Sequence, residues 1–397
     1  MPDMKMDAIE KLSAHYEQVV LVLQGGGALG SYQAGAYQVL HAHGIEPNWI
    51  AGVSIGAINA AIIAGNAPDE RMAKLTSFWE QISTAFPTDG LSNLNPWFNT
   101  QFRQMSGLWS MFQGVPGFFR PSAQTMFSTP WLLPSETSFY DVSPLRDTLL
   151  SHIDFKRLND GEIRLSLGAV HVTSGNFVYF DNRERTITPE HIMASGALPP
   201  GFPAVMIDGE AYWDGGVVSN TPLSYVLHGG VGDMHEDTLV FQIDLFNAQG
   251  AMPETLDEVY ARIKDITYSS RTRLNTDAFL QKYVLRQAIR TLYEHIPDEV
   301  KSCAEVQALK DLASEDRVTI VHLIHRGTQC QTQSKDYEFS RVTMLENWAS
   351  GVADAQTAMR HEEWRTPPTE KDGLMVYDFT RGAKRKAKSG KAVKAEV

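Results

Sequence analysis

A serine flanked by glycines, Gly52-Val53-Ser54-Ile55-Gly56, stands where an apolar run, Trp49-Ile50-Ala51, meets a small-residue helical stretch from Ala57 to Ala64. Strand, sharp turn and helix in that order form the setting in which G-x-S-x-G lifts a serine hydroxyl clear of a sheet edge as a nucleophile. The helix that follows favours negative charge at its N-terminus. Glycine and serine are common, and the plain alternative is a tight turn with a capping serine. The flanking strand and helix favour a nucleophilic Ser54.

Upstream, Gly25-Gly26-Gly27-Ala28-Leu29-Gly30 follows the run Val19 to Gln24 and opens a helical stretch, Ser31 to His43, that stops at Gly44. Successive N–H groups of a glycine turn make a concavity for an oxyanion with no side chain in the way. The same string fits G-x-G-x-x-G, so a dinucleotide-binding oxidoreductase is the rival reading. That site needs an acidic residue at the end of the second strand. Glu46 has the right distance, but Pro47 follows it, and the strand Trp49 to Val53 comes after it and ends in Ser54. The rival fails at that point.

A serine hydroxyl needs a base to attack at neutral pH. His228, His235, His322 and His325 are candidates for a Ser-Asp-His order, though none sits in a distinctive motif. The other design uses Asp214, within Tyr212-Trp213-Asp214-Gly215-Gly216. Two glycines after an aspartate turn the chain tightly and leave the carboxylate facing a neighbouring strand end. An Asp-Gly pair also makes ordinary hairpin turns.

Taken in order, these motifs resemble the patatin-like phospholipases. The resemblance rests on the glycine loop Gly25 to Gly30, the elbow Gly52 to Gly56, the segment Ala194-Ser195-Gly196-Ala197-Leu198-Pro199-Pro200-Gly201-Phe202, and Asp214-Gly215-Gly216. Gly35 and Asn59 also resemble positions common around the first two motifs, and the likeness covers Val19 to Leu245. It implies a Ser54–Asp214 dyad without histidine, an oxyanion hole from the loop Gly25 to Gly30 centred on Gly26, Gly27 and Ala28, and an acyl-enzyme route. It implies no cofactor and no metal. The substrate it implies is a phospholipid, a glycerolipid or another hydrophobic ester such as a polyester. One position departs: many members carry Arg or Lys before the last glycine of the loop, where this chain has Leu29. The main-chain donors remain, but headgroup selection by that cation is lost. A catalytically silent scaffold is the third reading, and an intact Ser54 and Asp214 argue against it.

The elements that must hold these residues read as β-α-β-α from Val19 onward, with helices at Ile55 to Ala64 and Asp69 to Ile82. That order gives an α/β fold, a three-layer α/β/α arrangement with a mostly parallel central sheet. Further strands are expected at Ile163 to Val172, Phe177 to Phe180, Thr238 to Asp244 and Val318 to His325. Between Phe86 and Tyr140 the pattern breaks into an aromatic-rich insertion holding Trp97, Phe98, Phe102, Trp109, Phe112, Phe118, Phe119, Phe127, Trp131 and Phe139. It is too long for a plain loop, and reads as an acyl-binding wall or the core of a small subdomain. The expected division is an N-terminal extension, 1–18; a hydrolytic domain, 19–255, with the insertion at about 86–140; a mainly helical C-terminal extension, 256–380; and a basic disordered tail, 381–397. Helices are expected from Leu256 through Tyr293 and from Tyr337 to Trp364.

Composition narrows the function classes. The 397 residues are 43% hydrophobic and 21% charged, with a net charge of -12, which argues against a nucleic-acid binder. Cys303 and Cys330 offer no disulfide framework and no metal-ligand spacing, and read as buried or incidental thiols of a reducing compartment. Met1 to Gln18 lacks the apolar centre of a secretory leader, and no run reaches the length of a membrane span. A cytoplasmic location is therefore expected, with peripheral contact at a membrane or lipid surface. The helical extension is expected to shape the pocket or to build a homo-oligomer.

Overall fold

Side-chain alternation in the first strand decides the layering. In β1 (Gln18–Leu23), Leu21 and Leu23 join one buried apolar cluster while Val20 and Val22 join another. A strand buried on both faces needs cover on both sides, which is the condition for a parallel sheet between two helical layers. The computed structural model describes residues 15–83, 96–122, 137–229, 237–312, 316–327 and 333–380. The expectations for Phe86, Phe127, Trp131, His235, Cys330, the side chains of Trp97 and Phe98, most of the N-terminal extension and the basic tail lie outside the described residues.

After β1 the chain forms α1 (Ser31–Ala42), β2 (Trp49–Val53), α2 (Ile55–Ala64), α3 (Arg71–Ile82) and α4 (Pro96–Gln113). Then come β3 (Arg120–Pro121), β4 (Tyr140–Asp141), α5 (Ser143–His152), α6 (Phe155–Asn159), β5 (Arg164–His171), β6 (Phe177–Asp181) and α7 (Pro189–Ser195). β7 (Val205–Ile207), β8 (Glu210–Asp214), α8 (Leu223–Leu227) and β9 (Thr238–Asp244) complete the first two thirds. The remainder forms α9 (Leu256–Tyr268), α10 (Thr272–Glu294), α11 (Asp298–Lys301), α12 (Ala304–Leu312), β10 (Val318–Ile324), α13 (Arg341–Met359) and β11 (Leu374–Tyr377).

The main sheet runs β11-β10-β9-β1-β2-β5-β8-β7, with β6 also paired to β5. Pairings from β11 through β5 are parallel, and β6, β7 and β8 are antiparallel. The mostly parallel α/β expectation therefore stands. One detail of register matters for everything that follows. β2 pairs with β5 only as far as Val53 opposite Gly168, and β8 takes over with Asp214 opposite Ala169. Because β6 pairs with Ser166 to Val170 and so occupies the other edge of β5, β2 and β8 must share one edge end to end. The residue after Val53 and the last residue of β8 are brought together there.

The C-terminal region joins the same sheet as the first part of the chain. It is mainly helical, and the strand expected at Val318 to His325 is β10; what the reading from 256 left out is that β10 and β11 continue the central sheet beyond β9. α10 contributes Phe279 and Tyr283 to the second buried cluster, and α13 lies along α1. The physical reason is edge protection: without these strands β9 would present an unpaired, fully buried-type strand to solvent. The long helical stretch expected from Tyr337 to Trp364 is shorter, with Ser340 capping the N–H of Thr343 at its start. Among the described residues, no helix is long and apolar enough to cross a membrane.

α1 and α13 approach closely through two small residues. A Cβ on Gly35 would fall 2.1 Å from the carbonyl oxygen of Trp348, and one on Gly351 would fall 2.0 Å from that of Tyr32. Replacing Gly351 with alanine must push two buried helices apart, with a stability loss of about 1–3 kcal/mol. Chemical denaturation of Gly351→Ala is expected to show this as a lower midpoint; an unchanged midpoint would mean that the helices do not meet at this residue.

Candidate active site

β2 delivers Ser54 directly into a sharp turn. Its backbone has φ 56 and ψ -125, a left-handed conformation that a non-glycine residue holds only at a cost of about 1–3 kcal/mol. The surrounding backbone leaves no room for a relaxed alternative. A Cβ on Gly52 would lie 2.5 Å from the carbonyl oxygen of Gly56, and one on Gly56 would lie 2.4 Å from that of Leu23. Ser195 anchors the turn from outside. The N–H of Ser54 donates to the Ser195 carbonyl at 3.1 Å and to its Oγ at 3.0 Å, while that hydroxyl donates to the carbonyl of Gly168 at 2.6 Å. The Ser54 carbonyl accepts from Ala57 and Ile58, which starts α2 immediately behind the serine.

Asp214 arrives from β8 at the same strand edge and is buried. It accepts a hydrogen bond from the Gly216 N–H at 2.7 Å, and the Ser54 side chain stands close enough to favour its charged form. Burial pushes its pKa from the ordinary 3.8 up to about 7, against the opposing pull of the Ser54 side chain and the Gly216 N–H. A carboxylate so placed holds or releases a proton near neutrality, within reach of a serine hydroxyl. Gly215 and Gly216 form the tight turn beyond it, as their spacing suggested.

The glycine loop follows β1 and lies against the serine: a Cβ on Gly25 would fall 3.0 Å from the Cβ of Ser54. Hydrogen bonding narrows the expected set of donors. The N–H of Gly25 donates to the Asn220 carbonyl, that of Ala28 to the Asp336 carbonyl at 2.9 Å, and that of Leu29 to Gly26. Gly30 lies within a 3₁₀ turn and its carbonyl accepts from Asn59. Gly26 and Gly27 alone in this loop have N–H groups that donate to no group among the described residues, so Ala28 drops out of the expected centre. Gly27 is left-handed, with φ 55. The first N–H of α2, on Ile55, adds a donor on the other side, since a helix cannot pair its own first turn.

Ser54, Asp214, Gly26 and Gly27 line a cavity of about 290 Å³ whose other walls are mostly apolar, with Asn220 and Asp336 among them. Phe119 packs against Tyr140 and Phe202 at ring-centroid distances of 4.8 and 5.3 Å, and Phe118 packs against Phe339 at 5.7 Å. Among the described residues, the lining holds no lysine, arginine or histidine. The aromatic insertion therefore divides: Phe118, Phe119 and Tyr140 line the cavity, whereas Phe112 on α4 is 73% exposed and Trp109 is 43% exposed.

A serine in a sharp strand-to-helix turn, a buried aspartate and a glycine loop converging on one pocket agree with what comparison of the sequence finds. The model of the patatin-like phospholipase family matches residues 21–227, and a second model, described as patatin phospholipase, matches residues 266–371. The chain belongs to the patatin-like phospholipase family. As a patatin-like phospholipase it is a lipid acyl hydrolase by family. No curated protein matches the sequence. Among solved structures it is similar to VipD from Legionella pneumophila, at 14% identity over 84% of this chain and 67% of that one, with a TM-score of 0.33. Full-length ExoU of the Pseudomonas aeruginosa type III secretion system, solved with SpcU, matches at 14% identity over 86% of this chain and 77% of that one, with a TM-score of 0.24.

Other residues weighed for this patatin-like site lie elsewhere. His228 hydrogen-bonds its own helix at the Ser224 carbonyl, and His322 pairs with Asp244 at 2.6 Å. His325 is buried against Asn347 and Tyr32, and burial pushes its pKa down to about 4. None of these three lines the cavity. Glu46, the acid that a dinucleotide site would have needed, accepts hydrogen bonds from Tyr37 and Arg71 and pairs with His41. Leu29 is buried in the core and Cys303 is exposed.

Three polar residues were missed. Gln24 accepts from the N–H groups of Leu245 and Phe246, Asn220 donates to the carbonyls of Gly25 and Tyr268, and Asp336 accepts from Ala28. No local spacing marks any of them.

Asp214 binds its proton more tightly in the folded chain than its ordinary 3.8 would allow. Its contribution to stability is therefore complete below about pH 4 and is lost as pH rises through about 7. Asp214→Asn, which keeps the shape without the charge, is expected to be more stable than the parent at pH 8, by at most about 4 kcal/mol. The difference should close toward pH 4. Parallel denaturation at both pH values checks it, and a variant less stable at pH 8 would contradict the burial argument.

Proposed function

We propose that this patatin-like phospholipase hydrolyses carboxylic esters of lipids through a Ser54–Asp214 dyad and an acyl-enzyme. The observation that carries the reading is a left-handed Ser54 beside a buried Asp214, both lining one largely apolar cavity. Asp214 takes the hydroxyl proton as Ser54 Oγ bonds to the ester carbon. The negative charge that forms on the carbonyl oxygen is met by the N–H groups of Gly26 and Gly27, supported by Ile55 at the start of α2. Collapse of that intermediate breaks the bond to the alcohol oxygen, and Asp214 gives its proton to the leaving alcohol. A water molecule then attacks the acyl-serine, its proton passing to Asp214. Release of the carboxylic acid returns that proton to Ser54 Oγ. Removing a nucleophile of this kind costs about 10³-fold or more in turnover.

The aromatic wall suits an acyl chain, and the described lining carries uncharged donors and no Lys, Arg or His. The reading of the substrate is accordingly a hydrophobic ester held by its acyl part. Met105, Leu108, Trp109 and Phe112 give α4 an exposed apolar face, and Met111 on the same helix lines the cavity. Such a face beside a pocket mouth is suited to peripheral contact with a lipid surface.

A fluorophosphonate probe is expected to label Ser54, and Ser54→Ala to be unlabelled and inactive; peptide mapping to a different serine would overturn the assignment. His228→Ala and His322→Ala should each keep most activity, and either one as dead as Ser54→Ala would replace the dyad with a triad. Because Asp214 must be unprotonated to accept, kcat/KM on a short soluble ester should fall on the acid side with a midpoint of about 7.

Trp109→Ser combined with Phe112→Ser should lower activity on aggregated lipid far more than on the short ester. Equal loss on both, with a large fall in melting temperature, would assign the face to the core instead.

A further inference from the structure

The glycine loop touches a segment that follows it only far along the chain. The carbonyl oxygen of Asp336 accepts the Ala28 N–H at 2.9 Å, and a Cβ on Gly27 would lie 2.1 Å from the same oxygen. One carbonyl thus holds one residue of the loop and crowds its neighbour. Residues 334–337 form no strand or helix of their own. What fixes them is a pair of crossed ionic contacts to consecutive residues of α9. Lys264 Nζ donates to Asp336 Oδ1 at 2.5 Å and to the Gln333 carbonyl at 2.8 Å, and Lys335 donates to the carboxylate of Asp265. Each lysine also lies over a ring, Lys264 over Tyr337 at 4.9 Å and Lys335 over Phe246 at 5.4 Å.

These pairs are partly shielded from solvent, with side-chain exposures between 10 and 27%. They are therefore placed to do more than freely exposed pairs, whose effect is usually small. α9 itself buries no residue completely, so apolar packing gives it little grip on the body. On the opposite side, Ser106 of α4 donates to Glu338 at 2.6 Å.

We propose that Asp336 is a positioning residue for the oxyanion-binding loop and that Lys264 and Lys335 hold it in that role. The inference rests on the dyad reading above and extends it. With the Ala28 N–H tied to Asp336, the turn at Gly27 is fixed and the N–H groups of Gly26 and Gly27 stay directed to the cavity. Without that tie the loop relaxes, and donors displaced by a fraction of an ångström stabilise a developing charge poorly. Phe118, Phe119, Tyr140 and Phe202 keep most of the acyl wall in place, although Tyr337 and Phe246 beneath the lysines also line the cavity, so the loss falls chiefly on kcat.

The test uses the full chain with Lys264→Met, Lys335→Met, the double variant, and a charge swap combining Lys264→Asp with Asp336→Lys. Measured quantities are the rate of Ser54 labelling by a fluorophosphonate, kcat and KM on a short p-nitrophenyl ester, and the melting temperature. The double variant should lose about 10- to 100-fold in kcat and labelling rate, with KM and melting temperature little changed. The swap should recover most of the loss seen in Lys264→Met. If the double variant does not fold, the single variants and the swap decide the matter. Wild-type rates in the lysine variants, a loss confined to KM, or a swap no better than Lys264→Met would overturn the inference while leaving the dyad standing. Wild-type protein that does not label at Ser54 would remove the dyad reading and this inference together.

Discussion

A single edge of β5 has to serve two neighbours, and the site depends on how it is divided. β2 uses the edge as far as Gly168 and β8 uses it from Ala169, running the opposite way. Neither strand can extend without displacing the other, so each must leave the sheet at the junction. Ser54 leaves through a strained turn, and Asp214 ends its strand facing that turn. Ser195 then ties the elbow to the Gly168 carbonyl at the boundary itself. The serine–aspartate contact is thus a product of sheet pairing more than of side-chain flexibility.

Dryness links the pocket to the chemistry proposed for it. Asp214 is buried in the wall of the pocket whose aromatic residues suit an acyl chain, and that burial lifts its pKa toward neutrality. A wetter pocket would leave the carboxylate a weaker base. It would also weaken the interaction between a developing oxyanion and the N–H groups of Gly26 and Gly27. The buried charge and the left-handed serine are unfavourable locally, and the surrounding core sustains them.

Much of this was legible in the sequence, for reasons that differ by element. β2, α2 and β9 lie where their apolar runs and bounding glycines or polar residues put them, because those signals are local. The elbow and the Asp-Gly-Gly turn were readable for the same reason: conformations that only small residues permit leave a mark in the string. Which loop N–H groups remain unpaired was not legible. The acceptors for Gly25 and Ala28 are Asn220 and Asp336, brought near by tertiary structure alone. In the C-terminal region the helices and the strand at Val318 were readable, but their place in the sheet was not, for a related reason. Helical periodicity in 256–380 is visible at short range, whereas the addition of β10 and β11 to an edge of the sheet depends on β9 being there to receive them.

The tie between Ala28 and Asp336 has a consequence in time. Synthesis runs from the N-terminus, so the glycine loop, Ser54 and Asp214 all leave the ribosome well before Asp336 does. A nascent chain can assemble most of the sheet and the serine–aspartate contact while the loop still lacks its last anchor. The geometry around Gly26 and Gly27 is completed only when the far end of the polypeptide folds back beside it.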